Sequence, residues 1–429
     1  MVVWGYKGHA EGHDAERMKN NKRTVITGIG VISPIGMGRD NFTEALLTGR
    51  NGFSEIGLFD TSPFGVKIGG EIADFDPVSL LGKKGLRTLD RSITLTSAAA
   101  GLALQDARIE ITENNAHSIG VALGTTFGSL HSISQFDRVG IIEGPKSVNP
   151  SLFPNTVLNS PASQVSIRYK IKGFNTTIST GFCSGLDAVS YASDFIALRR
   201  ADVVLAGGVE ELCGETFLGF HTLGCLSGTD GSKPVSSPFD SERNGVVLSE
   251  GAAVLVLETE RHALDRGAHI IAVIKGCGSA FDPEADRNFL HEGKGLKEAI
   301  RRALEDGDLQ PEEIDYISAC ANSTKGLDRL ETRVIKEVFG AHALHVPVSA
   351  VKSMIGESFS ASGALSIAAA AVSVSRGFIP PTINCRMQDP ECGLNIVRDR
   401  ARMQEIGTAL ITSADPYGNN TAVVIGRYA

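Results

Sequence analysis

Apolar runs without polar alternation recur along the chain, separated by stretches with helical spacing. "RTVITGIGVISPIG" (23–36) reads as an opening strand and a glycine turn. "SIGVALGTT" (118–126) and "ADVVLAGGVEE" (201–211) read as buried strands ending in small residues, and "GAAVLVLET" (251–259) as another strand. "GLDAVSYASDFIALRR" (185–200) has helical spacing between them. The second half repeats this logic. "HIIAVIKGCGSAFD" is a strand, and "GLKEAIRRALEDG" (295–307) is an amphipathic helix with a final glycine suited to a C-cap. "IDYISACANST" is a strand running into a turn, "SASGALSIAAAAVSVSRG" an apolar helix, and "GTALITSADPYGNNTAVVIGRY" a closing hairpin. Buried strands alternating with helices predict an α/β protein whose sheets are covered on both faces. A boundary near residue 265 divides two related halves, 23–265 and 266–429. Residues 1–22 read as a polar N-terminal extension, expected to be disordered.

Composition narrows the class. The 429 residues are 42% hydrophobic and 21% charged, which suits a globular, enzyme-like protein. A net charge of -8 gives no concentrated basic face, so no nucleic-acid partner is expected. Seven scattered cysteines with no CxxC argue against a disulfide framework or a zinc site and point to a reducing, cytoplasmic setting. The longest apolar run, 363–374, is too short to cross a bilayer, so no membrane partner is expected. Gly28-x-Gly30 begins a dinucleotide-like pattern, but Ser33 stands at the third glycine and Pro34 follows. A tight turn is the reading there. No cofactor and no metal are expected.

"TGFCSGLDAV" (180–189) carries the chemical question. The strand-like "NTTIST" leads into a small-residue turn and then a helix. A cysteine at such a turn attacks acyl groups well, because a helix N-terminus lowers a thiol's pKa. Cys183 is the candidate, yet the bulky Phe182 precedes it.

Several motifs, in order, carry a resemblance: "LFPNTVLNSPASQVSIRYKIKGFNTTIST", "ADVVLAGGVEE", "SPFDSERNGVVLSEGAAVLVLE", "KSMIGESFSASGAL" and "IPPTIN". From about residue 23 onward the chain resembles a β-ketoacyl-acyl-carrier-protein synthase of the thiolase fold. The resemblance implies two pseudo-symmetric βαβαβαββ halves forming a five-layer α-β-α-β-α body, and an extensive dimer. Such synthases use a Cys-His-His set. Unbroken spacing puts Phe182 on the nucleophile's position and leaves Cys183 one step along, rotated about 100° away. Cys320 stands in place of the first histidine, within Ser318–Thr324, and Glu357 in place of the second, within Lys352–Glu357. The family's glycine-rich gate is altered to Asp415-Pro416-Tyr417-Gly418.

Condensation needs a thiolate to hold the acyl chain and imidazole N–H donors to stabilise the enolate. Phe182 cannot attack, Cys320 is a weak donor, and an ionised Glu357 only accepts. No catalytic residue is therefore expected at these positions. Lys352, Asp328 and Glu331 are expected as polar groups of the pocket wall, and Arg243 and Asp240 as loop-fixing residues. The resemblance implies that Phe136, in 129–140, lines a substrate tunnel at the subunit interface together with Phe182, although ordinary helix packing fits that stretch equally. The expected function is that of a chain-length-factor-like pseudo-ketosynthase of type II polyketide biosynthesis. Its expected partners are an active ketosynthase subunit, in a heterodimer, and an acyl carrier protein whose phosphopantetheine bears the polyketide chain. The alternative is a divergent ketosynthase or malonyl-carrier-protein decarboxylase using non-standard residues.

Overall fold

The computed structural model describes residues 23–428, so the 1–22 extension lies outside the described residues. The first half contains strand β1 (Thr24–Ser33), helix α1 (Arg91–Ala107), β2 (Ile119–Gly124), α2 (Leu130–Ile142), α3 (Ser160–Tyr169), β3 (Asn175–Ile178), α4 (Ser184–Ala197), β4 (Val203–Glu210) and β5 (Gly251–Thr259). The second contains β6 (Ala272–Phe281), α5 (Lys294–Asp306), β7 (Tyr316–Ser318), α6 (Lys325–Phe339), β8 (Pro347–Ser349), α7 (Ser360–Arg376), β9 (Asn395–Ile396), β10 (Thr408–Ala414) and β11 (Asn419–Gly426).

Both halves build the same sheet. The first runs β3-β2-β4-β5-β1, and the second β8-β7-β10-β11-β6 with β9 added outside β8. In each, the first three strands in that order are parallel and the last two antiparallel. The sheets join where β1 pairs with β6, Thr24 against Ile274 through Ile26 against Ala272. Helices α4 and α7 pack on each other and touch strands of both sheets, while α1 with α3 and α5 with α6 cover the outer faces. This is the five-layer thiolase-like body.

Local sequence explains the layering. In α5, Leu296, Ala299, Ile300, Ala303 and Leu304 share one face and are buried, whereas Arg301 and Arg302 pair with Glu298 on the other. Central helix α7 carries only small or apolar side chains from Ser360 to Val374, and every one of those residues is buried. One expectation needs correction. Gly28 and Gly30 lie within β1, not in a turn. A Cβ on them would stand 2.4 Å from the Ala103 carbonyl and 1.9 Å from the Ala99 carbonyl, so these glycines let α1 lie close on the sheet.

Candidate functional site

The "GFC" turn is a single 3-10 turn, Gly181–Cys183, running directly into α4. Gly181 sits at φ +60°, and a Cβ there would stand 2.0 Å from Asp415 Oδ2, so both conformation and space require glycine. Phe182 is buried with its ring centroid 4.9 Å from that of Phe359. Phe359 is the hub of an aromatic cluster, with Phe127 and Phe220 each at 5.1 Å. It adopts φ +49°, a left-handed backbone that is costly for a bulky side chain. At the backbone, Phe182 N–H donates to Asp415 Oδ2 at 3.1 Å, and its carbonyl accepts from Ser413 Oγ at 3.1 Å.

Cys183 points elsewhere. It is fully buried and its thiol donates to the Asn419 carbonyl at 3.3 Å. Burial pushes its pKa far up, and the Asp187 carboxylate adds to the effect. The helix N-terminus does not offset this, so a thiolate at Cys183 is negligible near neutral pH.

Cys320 follows β7 and is also buried. Its N–H donates to Glu331 Oε1 at 2.9 Å and to Thr412 Oγ1 at 3.1 Å. Burial raises its thiol well above the usual range, and Glu331 pushes the same way. Glu331 Oε2 also accepts from Ala321 N–H at 2.8 Å. Asp328 accepts from the N–H groups of Asn322 at 3.0 Å and Phe239 at 2.8 Å, and pairs with buried Arg243 at 3.1 Å. These two acids hold the Cys320–Asn322 loop through its backbone amides. Arg243 donates in turn to the Asp240 carbonyl at 2.6 Å and Asp389 Oδ2 at 2.8 Å.

Glu357 is buried and fully engaged. Oε2 accepts from Lys352 Nζ at 2.8 Å and Asn322 Nδ2 at 2.9 Å, and Oε1 from Phe359 N–H and Ser362 Oγ, both at 3.0 Å. Burial pulls the Lys352 ammonium down, but the facing Glu357 outweighs it and leaves the pKa raised. Lys352 thus stays charged and forms a buried ion pair with Glu357.

Phe182 and Glu357 are brought together by Phe359, whose ring packs on one and whose N–H binds the other; Asn322 ties the Cys320 loop to Glu357. Phe136 is placed elsewhere. It is half-buried on α2, and its ring packs on Phe153 at 6.0 Å. Helix α2 has no buried residue, and Ile141 and Ile142 at its end are 83% and 70% exposed. Sequence reasoning missed Phe359, Phe127, Phe220 and the reach of Asp415 to Phe182. A signal existed for Phe359, a bulky ring between two serines in "ESFSAS". Among the described residues no His, Cys, Asp or Glu cluster could hold a metal, and no helix is long and apolar enough to cross a membrane.

The doubled sheet with two central helices defines a thiolase-like protein, and the comparisons make the class specific. The beta-ketoacyl synthase N-terminal domain matches residues 21–263 and the C-terminal domain residues 271–386. The chain belongs to the beta-ketoacyl synthase family. It is 36% identical over 408 residues to 3-oxoacyl-(acyl-carrier-protein) synthase 2 of Coxiella burnetii, covering 95% of this chain and 99% of that one. Identity to the Synechocystis synthase of the same name is 34% over 409 residues, covering 95% and 98%. Among solved structures, the ishigamide ketosynthase/chain length factor superposes with TM-score 0.88 at 34% identity, covering 95% of this chain and all of that one. A type II polyketide synthase acyl-carrier protein in complex with its ketosynthase bound to the hexaketide gives TM-score 0.87 at 28% identity, with the same coverage.

Proposed function

We propose that this chain is a non-condensing, chain-length-factor-like subunit that pairs with an active ketosynthase in type II polyketide synthesis. One observation carries the reading. At the three positions to which the family resemblance assigns attack and donation stand Phe182, which cannot attack, a buried Cys320 thiol, which is at most a weak donor, and Glu357, whose oxygens are already engaged. Phe182 is packed on Phe359, and Glu357 is engaged by Lys352, Asn322 and Ser362. The preserved fold around an inert centre suits a scaffold, and the likeness to a ketosynthase/chain length factor structure supports it.

The surface is compatible with these partners. Among the described strands, β3 pairs on one side only, with β2, and its other edge is a template for a second chain. Apolar Ile141, Ile142, Phe153 and Ile167 are exposed on nearby elements of the same half. A cavity of about 700 Å³ lined by Arg287, Lys325, Arg329 and Arg333, against Asp230 and Glu242, has an excess of positive charge suited to an acidic carrier protein.

The test is co-expression with an intact Cys-His-His ketosynthase. A stable one-to-one complex with a large, apolar interface is expected, making a product that neither chain makes alone. A second reading, a divergent condensing enzyme or malonyl decarboxylase, draws on relatives that are named synthases at 34–36% identity. It predicts turnover or carbon dioxide release by the isolated chain.

A further inference from the structure

We infer that Asp415 is an internal anion seated on the helix-terminal N–H that an acyl oxygen at residue 182 would use, and that it closes the site independently of the Phe182 side chain. The inference rests on the reading of this chain as non-condensing and adds a second lock to it. A nucleophile in the 181–183 turn would need its own backbone N–H, at the positive end of α4, to stabilise the negative charge that develops on the acyl oxygen. That N–H is already donated to Asp415 Oδ2 at 3.1 Å.

The carboxylate is held in place. Asp415 ends the strand Thr408–Ala414 and opens the tight connection to Asn419. Its Oδ1 accepts from Tyr417 N–H at 2.7 Å, its own N–H donates to the Asn419 carbonyl at 2.8 Å, and its carbonyl accepts from Gly418 N–H at 3.1 Å. The absence of a side chain on Gly181 is what admits the carboxylate. Ser413 on the same hairpin fixes the other face of Phe182 through its carbonyl. Burial and the nearby Glu357 carboxylate raise the pKa of Asp415, while the N–H donors of Phe182 and Tyr417 favour its charged form. An anion here opposes a thiolate at 182 as well as an oxyanion, so restoring the thiol alone would not restore its reactivity.

The experiment compares Phe182→Cys with Phe182→Cys/Asp415→Asn. Each protein is treated with iodoacetamide from pH 6 to 10, and the thiolate's displacement of iodide is read at residue 182 by peptide mass. The double variant should be alkylated about tenfold faster at pH 7, with its rate rising at lower pH, because removing a neighbouring carboxylate shifts a thiol by about one pKa unit. Equal rates and equal pH profiles would overturn the inference and leave Asp415 as a structural staple. Should the cysteine variants fold poorly, Asp415→Ala with Phe182 intact gives a second reading. Exchange of the Phe182 amide should then accelerate about tenfold, and an unchanged rate would also overturn the inference. Turnover by the wild-type chain would sink the proposed function instead, and it leaves the alkylation comparison intact.

Discussion

The two turns that lead into the central helices occupy equivalent places in the two halves, yet they are filled by opposite chemistry. Before α4, Gly181–Cys183 presents Phe182 to a ring cluster centred on Phe359. Before α7, Lys352–Phe359 buries a charged pair, Lys352 with Glu357. An apolar filling loses packing in proportion to what is removed and lets its neighbours relax into the gap. A buried ion pair fails abruptly, because deleting one partner leaves a charge with no solvent and no counterion. The aromatic turn is therefore the tolerant side of the site and the ionic turn the brittle one.

The contrast is broken most strongly at Lys352. Lys352→Met strands the Glu357 carboxylate and should cost about 3–5 kcal/mol, read as a lower urea midpoint. Lys352→Met/Glu357→Gln keeps an acceptor for Phe359 N–H and Ser362 while removing the charge, and should recover most of that loss. No recovery would mean that the pair is not what stabilises the turn. Phe182→Ala comes next, at about 3 kcal/mol, since a large ring leaves a cavity beside Phe359. A loss equal to that of Lys352→Met would erase the difference between the turns.

A pH series sharpens the aromatic side. Glu210 accepts from Phe127 N–H at 3.0 Å and Thr126 N–H at 2.8 Å, and burial raises it to about 7. Neighbouring Glu211 accepts from His131 N–H at 3.0 Å and is raised to about 8, by burial first and then by Asp90. Raised folded-state pKa values mean that the folded protein binds more protons than the unfolded chain. The stability these two groups contribute should be fully present below pH 4.5, decline as pH rises toward 8, and be lost above it. Glu211→Gln should flatten the upper part of that decline in Tm, and an unchanged slope would show that Glu211 does not titrate there. The smallest effect on stability belongs to Phe136. Phe136→Ala should cost about 0.5–1 kcal/mol on its half-buried helix. In a complex with a ketosynthase it should shift product length while leaving the first condensation nearly unchanged.

What the sequence made legible follows from distance along the chain. Helices α4, α5 and α7 and strand β5 are local patterns, and 251–259 emerges as Gly251–Thr259 without change. Phe182, Cys320 and Glu357 could be singled out because each lies in a short motif. The contacts that lock them could not. Asp415 was visible as an altered gate, but its bond to Phe182 N–H spans 233 residues of sequence. Asp328 and Glu331 are expected as polar groups of the pocket wall, but nothing in the sequence reveals that their oxygens cap the amides of 320–322. The glycines of β1 misled for the same reason, since the helix that demands them begins at Arg91, far along the chain.

The central claim is that this chain does no condensation of its own, and a one-sided knockout tests it directly. The complex is assembled from this subunit, unaltered, and a ketosynthase whose nucleophilic cysteine is changed to alanine, then given acyl- and malonyl-carrier protein. The account predicts no ketoacyl product, with full activity when the partner is intact. Product from the complex with the disabled partner would contradict it.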